Sequence, residues 1–417
     1  MSPLAPLDET QASILAAVPT LDAIFVPLDE ALGLVLAAAV HAREAVPPFA
    51  NTAMDGYALR AADTVGADQD APIRLQVVGE LPAGKAPDVA VGPGEAIRIM
   101  TGAPMPDGAD AVVMVERTAR VEGSEDAVDV HVAVAPGNHV RGVGGDLTAG
   151  QLVFDAGTVL RAAHIGVLAS VGAGTVEVIR RPRVGVLSTG DELEALVGGS
   201  TAAALAPGQI RDSNRPMLLD LVREAGLDPV DLGVARDDED GIVAVLEDAF
   251  DRCDAVLTSG GVSVGDYDFV KAALDRFGVL EWRQVAIKPA KPLAFGVVRG
   301  VPVFGLPGNP VSSLVSFELF ARPALLRMGG HASSHRPEVV ATALEDLRRR
   351  PDGKLHLDRV RVRWVDDGYV VERTGDQSSN VLSATALANG LALLPDGDGV
   401  AAGDPVRVML LTAVPDP

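Results

Sequence analysis

"DAVLTSGGVSVGDYDFVK", Asp254 to Lys271, decides how this chain folds. An apolar, β-type run stops at Ser-Gly-Gly and gives way to the helix-spaced "DFVKAALDRF", so the stretch reads strand, turn, helix. Two chemistries fit the turn. Gly261, Ser263 and Gly265 have the G-x-S-x-G spacing of an esterase elbow. Alternatively, Gly260 and Gly261 free backbone N–H groups for an anion at a helix start, with Asp266 and Asp268 placed for a metal. The elbow needs an acid and then a histidine downstream. Only His331, His335 and His356 follow, all in or beyond a linker, which favours holding over attack.

The same alternation extends both ways. "RVGVLS", a helix from about Ser213 to Glu224, "PVDLGV", "DAVLTS", "WRQVAI", "LAFGVV" and "VPVFG" alternate with helical segments. This predicts an open, largely parallel sheet over 181–328, with ligands beyond the carboxyl ends of its strands. Beyond 329 the period becomes two. "RVRVRWVDDGYVVER" reads as a hairpin turning at Asp367-Gly368, and 329–417 as a β-barrel or sandwich. Upstream, 45–150 consists of short β-like runs divided by Gly and Pro, an inserted β-rich domain. Residues 1–44 read as two helices, "LDETQASILAAV" and "PLDEALGLVLAAAV", and join 151–180 as a helical N-terminal domain. "VGGSTAAALAPG" reads as a loop.

Composition limits the partners. At 417 residues the chain exceeds one hydrophobic core. Its net charge of -22, from 35 basic and 57 acidic residues, opposes binding to nucleic acid and to anionic membranes. An anionic ligand therefore needs a local basic pocket. The acidic N-terminus lacks signal-peptide order and no apolar run reaches membrane length, so a cytoplasmic protein is expected. The single cysteine, Cys253, reads as a buried thiol before a strand.

Polar turns at the strand ends supply the candidate site. Ser188, Thr189 and Gly190 follow one strand, Ser213 and Asn214 open a helix, and Gly260, Gly261 and Ser263 follow another strand. Pro307, Gly308, Asn309 and Pro310 form one more such turn. Lys288 and Lys291 flank a proline at a strand end and make an anion site beside these N–H-rich turns. Glu192, Asp237, Asp238, Asp266 and Asp268 would then hold Mg²⁺ against phosphates. "GELPAGKAP" fails as a P-loop because Ala86 has no hydroxyl and Pro87 no N–H. "GVGGDL" lacks the strand, third glycine and helix of a dinucleotide fingerprint. Asp55 and Thr101 stand in polar turns of the β-rich segment, where an Asx-turn is the plain alternative.

Assembled, "PPFANTAMDGYALR", "RIMTGAPMPDGADAVVMVE", "RPRVGVLSTGDEL", "IRDSNRPML", "TSGGVSVGDYDFVK", "AIKPAKPLAFG" and "VFGLPGNPVSS" resemble the molybdopterin molybdenumtransferases of the MoeA and gephyrin E-domain family. The resemblance spans nearly the whole chain. It implies a helical and extended domain, an inserted β domain, a molybdopterin-binding α/β domain and a C-terminal β-barrel, paired as a homodimer. The implied reaction is Mg²⁺-dependent insertion of molybdate into adenylylated molybdopterin, releasing AMP and molybdenum cofactor. The upstream adenylyltransferase is then a candidate partner.

By position, the resemblance assigns active-site roles to Asp55, Thr101, Arg141 and Asp146 in the β domain, and to Glu192, Asp237 or Asp238, Asp268, Lys288, Lys291, Pro307 and Pro310 in the α/β domain. Arg359 and Ser378 or Ser379 would hold molybdate from the barrel. Two departures stand out. Ala290 lies between the lysines where glycine is common, and "RGVGGDL" spaces Arg141 and Asp146 with extra glycines. A gephyrin-like scaffold and a molybdopterin adenylyltransferase remain the alternatives. With the family reading, Ser263 holds a phosphate or pterin oxygen and does not attack.

Overall fold

The computed structural model describes residues 4–124, 126–195, 204–260, 269–278 and 280–414. Gly261, Ser263, Asp266 and Asp268 lie outside the described residues. The chain divides into two compact units: Met1–Ile24, Gly33–Ala37 and Val178–Pro417 form one, Phe25–Leu32 and Ala38–Glu177 the other.

In the larger unit, a six-stranded sheet runs in the order Asp228–Ala235, Arg183–Thr189, Ala255–Ser259, Val301–Leu306, Pro292–Val298, Leu280–Gln284. The first four strands are parallel, as the strand–helix alternation predicts. The fifth runs antiparallel to the fourth, and the sixth antiparallel to the fifth. The reason is local: only Arg299 and Gly300, both left-handed, separate Pro292–Val298 from Val301–Leu306, and so short a link can only reverse direction. Ala255–Ser259 and Val301–Leu306 are buried along their whole length because helices cover both faces. Leu218, Val222, Val311 and Leu314 pack on one face, and Ile242, Leu246 and Val270 on the other. Each such buried side chain contributes roughly 1.5–3 kcal/mol. Cys253 is buried just before its strand, and burial pushes its thiol pKa up.

The N-terminal reading needs correction. Leu7–Ala17 is a helix, but it belongs with the α/β unit: Ile14 enters that core and Gln11 Nε2 donates to Leu319 O at 2.9 Å. The second expected helix is only the 3-10 turn Leu28–Glu30, followed by the strands Val35–Leu36 and Val40–His41. Gly33, at φ +80°, ends the turn before a helix can propagate.

Glu338–Ala343, Leu355–Val365, Gly368–Arg373, Gly390–Leu394 and Pro405–Leu410 close into a five-stranded barrel, because Leu355–Val365 pairs with both Gly368–Arg373 and Gly390–Leu394. The hairpin turns one residue earlier than expected. Val365 pairs with Gly368, so Asp366 and Asp367 are the turn residues, at φ 43° and 68°. Ile287–Lys288 adds a parallel pairing to the start of the long barrel strand, Lys288 opposite His356.

The smaller unit carries a six-stranded sheet in the order Ala111–Met114, Gly56–Leu59, Glu95–Ile99, Ile73–Leu81, Ala127–Val130, Thr118–Arg120. Its two faces bury separate clusters, one around Tyr57, Leu59 and Val113 and one around Ile97, Ile99 and Val112. Among the described residues no helix is long and apolar enough to cross a membrane.

Candidate active site

Three parallel strands deliver their carboxyl ends to one place. A methyl group on Gly260, at φ +101°, would meet Thr189 O at 2.9 Å, and one on Gly308 would lie 3.7 Å from Gly260 Cα. Glycine is required at 260 on both counts. "RDSN" locks this junction. Asp212, 3% exposed, accepts from Ser188 Oγ (3.1 Å), from the Arg215 N–H (3.1 Å) and from Arg215 Nε (2.9 Å). Asn214 Nδ2 donates to Ser259 Oγ at 2.8 Å and to Gly308 O at 2.7 Å. Ser213 precedes the Asn214–Glu224 helix without making a side-chain cap. Thr189, Ser188 and Asn214 thus meet with Gly260 and Gly308, while Pro307 is buried behind them and Asn309 and Pro310 start the next helix.

The carboxylate turns lie next along the sheet. Asp191 and Asp237 exchange backbone N–H bonds, each N–H donating to the other's carboxylate at 3.3 Å. This joins the turns after Arg183–Thr189 and Asp228–Ala235. Glu192 is exposed beside them and folds over Gly190. Asp238 is otherwise engaged: its Oδ2 accepts the Gly241 N–H at 2.9 Å and caps the Glu239–Arg252 helix. Among the described residues no three acidic, His or Cys side chains converge on a metal position. Asp266 and Asp268 are not among them.

Lys288 and Lys291 open into a cavity of about 830 Å³, walled also by Ser312, Arg350, His356, Arg359, Ser378 and Ser379. Most cations in that wall are spoken for. Arg349 donates to Lys354 O (2.6 Å), Leu394 O (3.0 Å) and Asp396 Oδ1 (2.7 Å), and Arg373 Nε to Asp358 Oδ2 (2.8 Å). Lys354 Nζ donates to Asp352 Oδ2 at 2.8 Å, bringing that carboxyl down to about 2. Lys288 and Lys291 have no carboxylate partner among the described residues.

Arg359, 1% exposed, is the largest fully buried side chain among the described residues. It donates to Asp376 O (3.1 Å) and Ser378 O (3.2 Å), yet its Nε has no acceptor among the described residues. Burial works against its charge and lowers its pKa, a cost that an anion in the cavity offsets. Gln377 fastens the loop over it, accepting the Arg359 N–H at 2.7 Å and returning Nε2 to Arg359 O at 3.2 Å. Burial also holds His356 below the usual imidazole range, with Arg349 and Lys288 acting in the same direction.

In the smaller unit, Asp55 makes no Asx-turn. Its Oδ1 accepts both the Thr101 N–H (2.6 Å) and Thr101 Oγ (2.7 Å), which lowers the Asp55 pKa. Gly56 allows this, because a methyl group there would fall 2.0 Å from Val113 O. Asn51–Thr52 pairs with Val140–Arg141, placing exposed Arg141 opposite Asn51, and the Asp146 N–H donates to Val46 O at 2.9 Å.

Four contributors escaped the sequence reading: Asp212, Ser312, Gln377 and His356. Asp212 had a signal in the acid directly preceding Ser213-Asn214. Gln377 had none, since its role depends on a strand eighteen residues upstream.

The comparisons agree with this geometry. Residues 5–172 match the "MoeA N-terminal region (domain I and II)", 185–327 the "Probable molybdopterin binding domain" and 341–411 the "MoeA C-terminal region (domain IV)". The chain is 41% identical over 399 residues to molybdopterin molybdenumtransferase 2 of Mycobacterium tuberculosis, covering 93% of this chain and 95% of that protein. It is 37% identical to the molybdopterin molybdenumtransferase of Nostoc, over 98% of this chain and 94% of that one. A crystal structure of the MoeA protein from Pyrococcus horikoshii superposes with a TM-score of 0.79 at 31% identity, over 98% of this chain and 100% of that chain. Three consecutive domain matches, full-length relatives and a shared architecture place this chain in the MoeA family of molybdopterin molybdenumtransferases.

Proposed function

We propose that this protein inserts molybdenum from molybdate into adenylylated molybdopterin, releasing AMP and molybdenum cofactor. One observation carries the reading: two lysines without a carboxylate partner and a buried guanidinium whose Nε lacks an acceptor, both among the described residues, line one cavity in a chain of net charge -22. Lys288, Lys291 and Arg359 bind and orient the molybdate dianion there, with Ser312, Ser378 and Ser379 available as hydroxyl donors. The strand-end junction of Thr189, Asn214, Gly260 and Gly308 receives the pterin part, which stays outside the lysine pocket. The resemblance gives Asp55 and Thr101 a part in the reaction as well.

The hard oxygen donors of Glu192 and Asp237 suit Mg²⁺, together with Asp266 and Asp268. When bound, the ion supplies charge compensation at the phosphate bridge. We also propose a cytoplasmic homodimer fed by an upstream adenylyltransferase; the buried free thiol of Cys253 suits a reducing compartment. Purified protein given adenylylated molybdopterin, molybdate and Mg²⁺ should release AMP only when molybdate is present. Adenylylation of molybdopterin from ATP, with release of pyrophosphate, would replace this reading with the adenylyltransferase alternative; AMP release without molybdate would uncouple the bridge cleavage from metal insertion.

A further inference from the structure

Asn214 carries more information than its place in the "RDSN" motif suggests. It is 8% exposed, and both hydrogens of its side-chain amide are used, on Ser259 Oγ and on Gly308 O. Gly308 O can only accept, so the amide cannot be reversed without setting two carbonyl oxygens against each other. The orientation is therefore fixed. It leaves Asn214 Oδ1 buried, with no donor among the described residues.

The position of this unmet acceptor is specific. Ser259 ends one parallel strand, and Gly308 lies two residues beyond the end of its neighbour, Val301–Leu306. Gly260 N donates to Leu306 O at 3.1 Å, and Gly260 packs against Thr189 of the third strand. Ligands of open α/β sheets bind outside such carboxyl ends. A buried carbonyl oxygen in that place accepts a hydrogen bond from a ligand and repels an anionic group.

Resting on the function proposed above, we infer that Asn214 is a specificity-determining residue that fixes which end of the substrate enters the junction. Its NH₂ clasps two strand-end loops, and its Oδ1 accepts the exocyclic 2-amino group of the pterin ring. The phosphate groups accordingly lie away from Asn214. This division of labour also fits the placing of Lys288 and Lys291 in a cavity whose lining includes neither Asn214 nor Gly260 nor Gly308.

The test uses two free pteridines and needs neither molybdate nor turnover. Pterin carries the 2-amino donor; lumazine has a carbonyl in its place. Ligand-observed NMR titration of the full-length chain should show wild type binding pterin at least about tenfold more tightly than lumazine, a difference of about 1.4 kcal/mol. In Asn214→Ala that ratio should fall to about one. Ser259→Ala removes one acceptor of the clasp and leaves Oδ1, so it should weaken both ligands together and keep the ratio. Equal wild-type affinities, or an unchanged ratio in Asn214→Ala, overturn the inference while leaving the proposed function standing. Failure of both pteridines to bind overturns the inference together with the placing of the pterin part in this junction. Should Asn214→Ala unfold, the wild-type comparison decides alone: pterin must still bind at least about tenfold more tightly than lumazine.

Discussion

Asp55 Oδ1 takes two hydrogen bonds from one residue, the backbone N–H and the hydroxyl of Thr101, at 2.6 and 2.7 Å. Both favour the carboxylate, so the folded-state pKa lies below the ordinary aspartate value. The stabilisation is present above the unfolded pKa and disappears as pH falls through the folded one. Thr101→Val removes the hydroxyl and keeps the N–H. Carbon-detected NMR should then show the Asp55 titration moving part of the way back up; an unmoved midpoint would assign the whole effect to the backbone.

Lys288→Ala and Lys291→Ala should each weaken molybdate binding by about 1.5–3 kcal/mol, the range for hydrogen bonds to charged groups. Neither ammonium has a carboxylate partner among the described residues, so thermal unfolding should hardly change. Calorimetric titration with molybdate is the measurement. Wild-type affinity in both variants would remove the cavity from the reaction.

Glu318, 3% exposed, accepts from Arg336 Nε and a second Arg336 nitrogen, both at 2.9 Å, and lies 3.9 Å from Arg322. Arg336→Ala strands this carboxylate and should cost about 3–5 kcal/mol, read from denaturant unfolding. A loss below about 1 kcal/mol would mean that Arg322 or water replaces the pair.

His331 and His356 are both held below the usual histidine pKa, chiefly by burial. The unfolded chain therefore binds more protons than the fold as pH drops through the unfolded value near 6.5. Stability is complete above that pH and declines below it, until the folded pKa values are passed. Replacing either histidine with Gln should flatten the decline between pH 7 and 5 in thermal melts. A steeper profile would contradict the burial argument.

Asp366 and Asp367 occupy a two-residue turn with both φ values positive, a conformation that suits Asn-Gly better. The double change Asp366→Asn, Asp367→Gly should stabilise the barrel by about 1 kcal/mol. Both residues are exposed, so no packing is lost. Lower stability would show that these carboxylates contribute more than the turn strain costs.

Much of the architecture was legible because the cues were local. Strand–helix alternation from Arg183 and the period of two around Arg361 follow from side-chain spacing alone. Local spacing says less where distant residues intervene. In "DRVRVRW", alternation assigns Arg359, Arg361 and Arg363 to one solvent-facing row, and Arg361 and Arg363 are exposed. Arg359 is buried because the Thr374–Ser379 loop closes over it, which no local pattern encodes. The segment 27–40 looked helical by composition until Gly33 and the pairing of Val35–Leu36 with Val178–Ile179 intervened. Site candidates are legible as residue types: strand-end glycines and lysines stand out in the sequence, whereas the groups that immobilise their surroundings, Asp212 and Gln377, do not.

The short pairing of Ile287–Lys288 with Leu355–His356 has a mechanical consequence. The lysine turn is a rung shared between the segment leaving the open sheet and the wall of the barrel, so any force that shears the barrel is transmitted directly to Lys288. A protein truncated before Glu338 would keep every strand of the six-stranded sheet. On the function proposed above it should still lose oxyanion binding, because the turn that presents the lysines would hang without its second support.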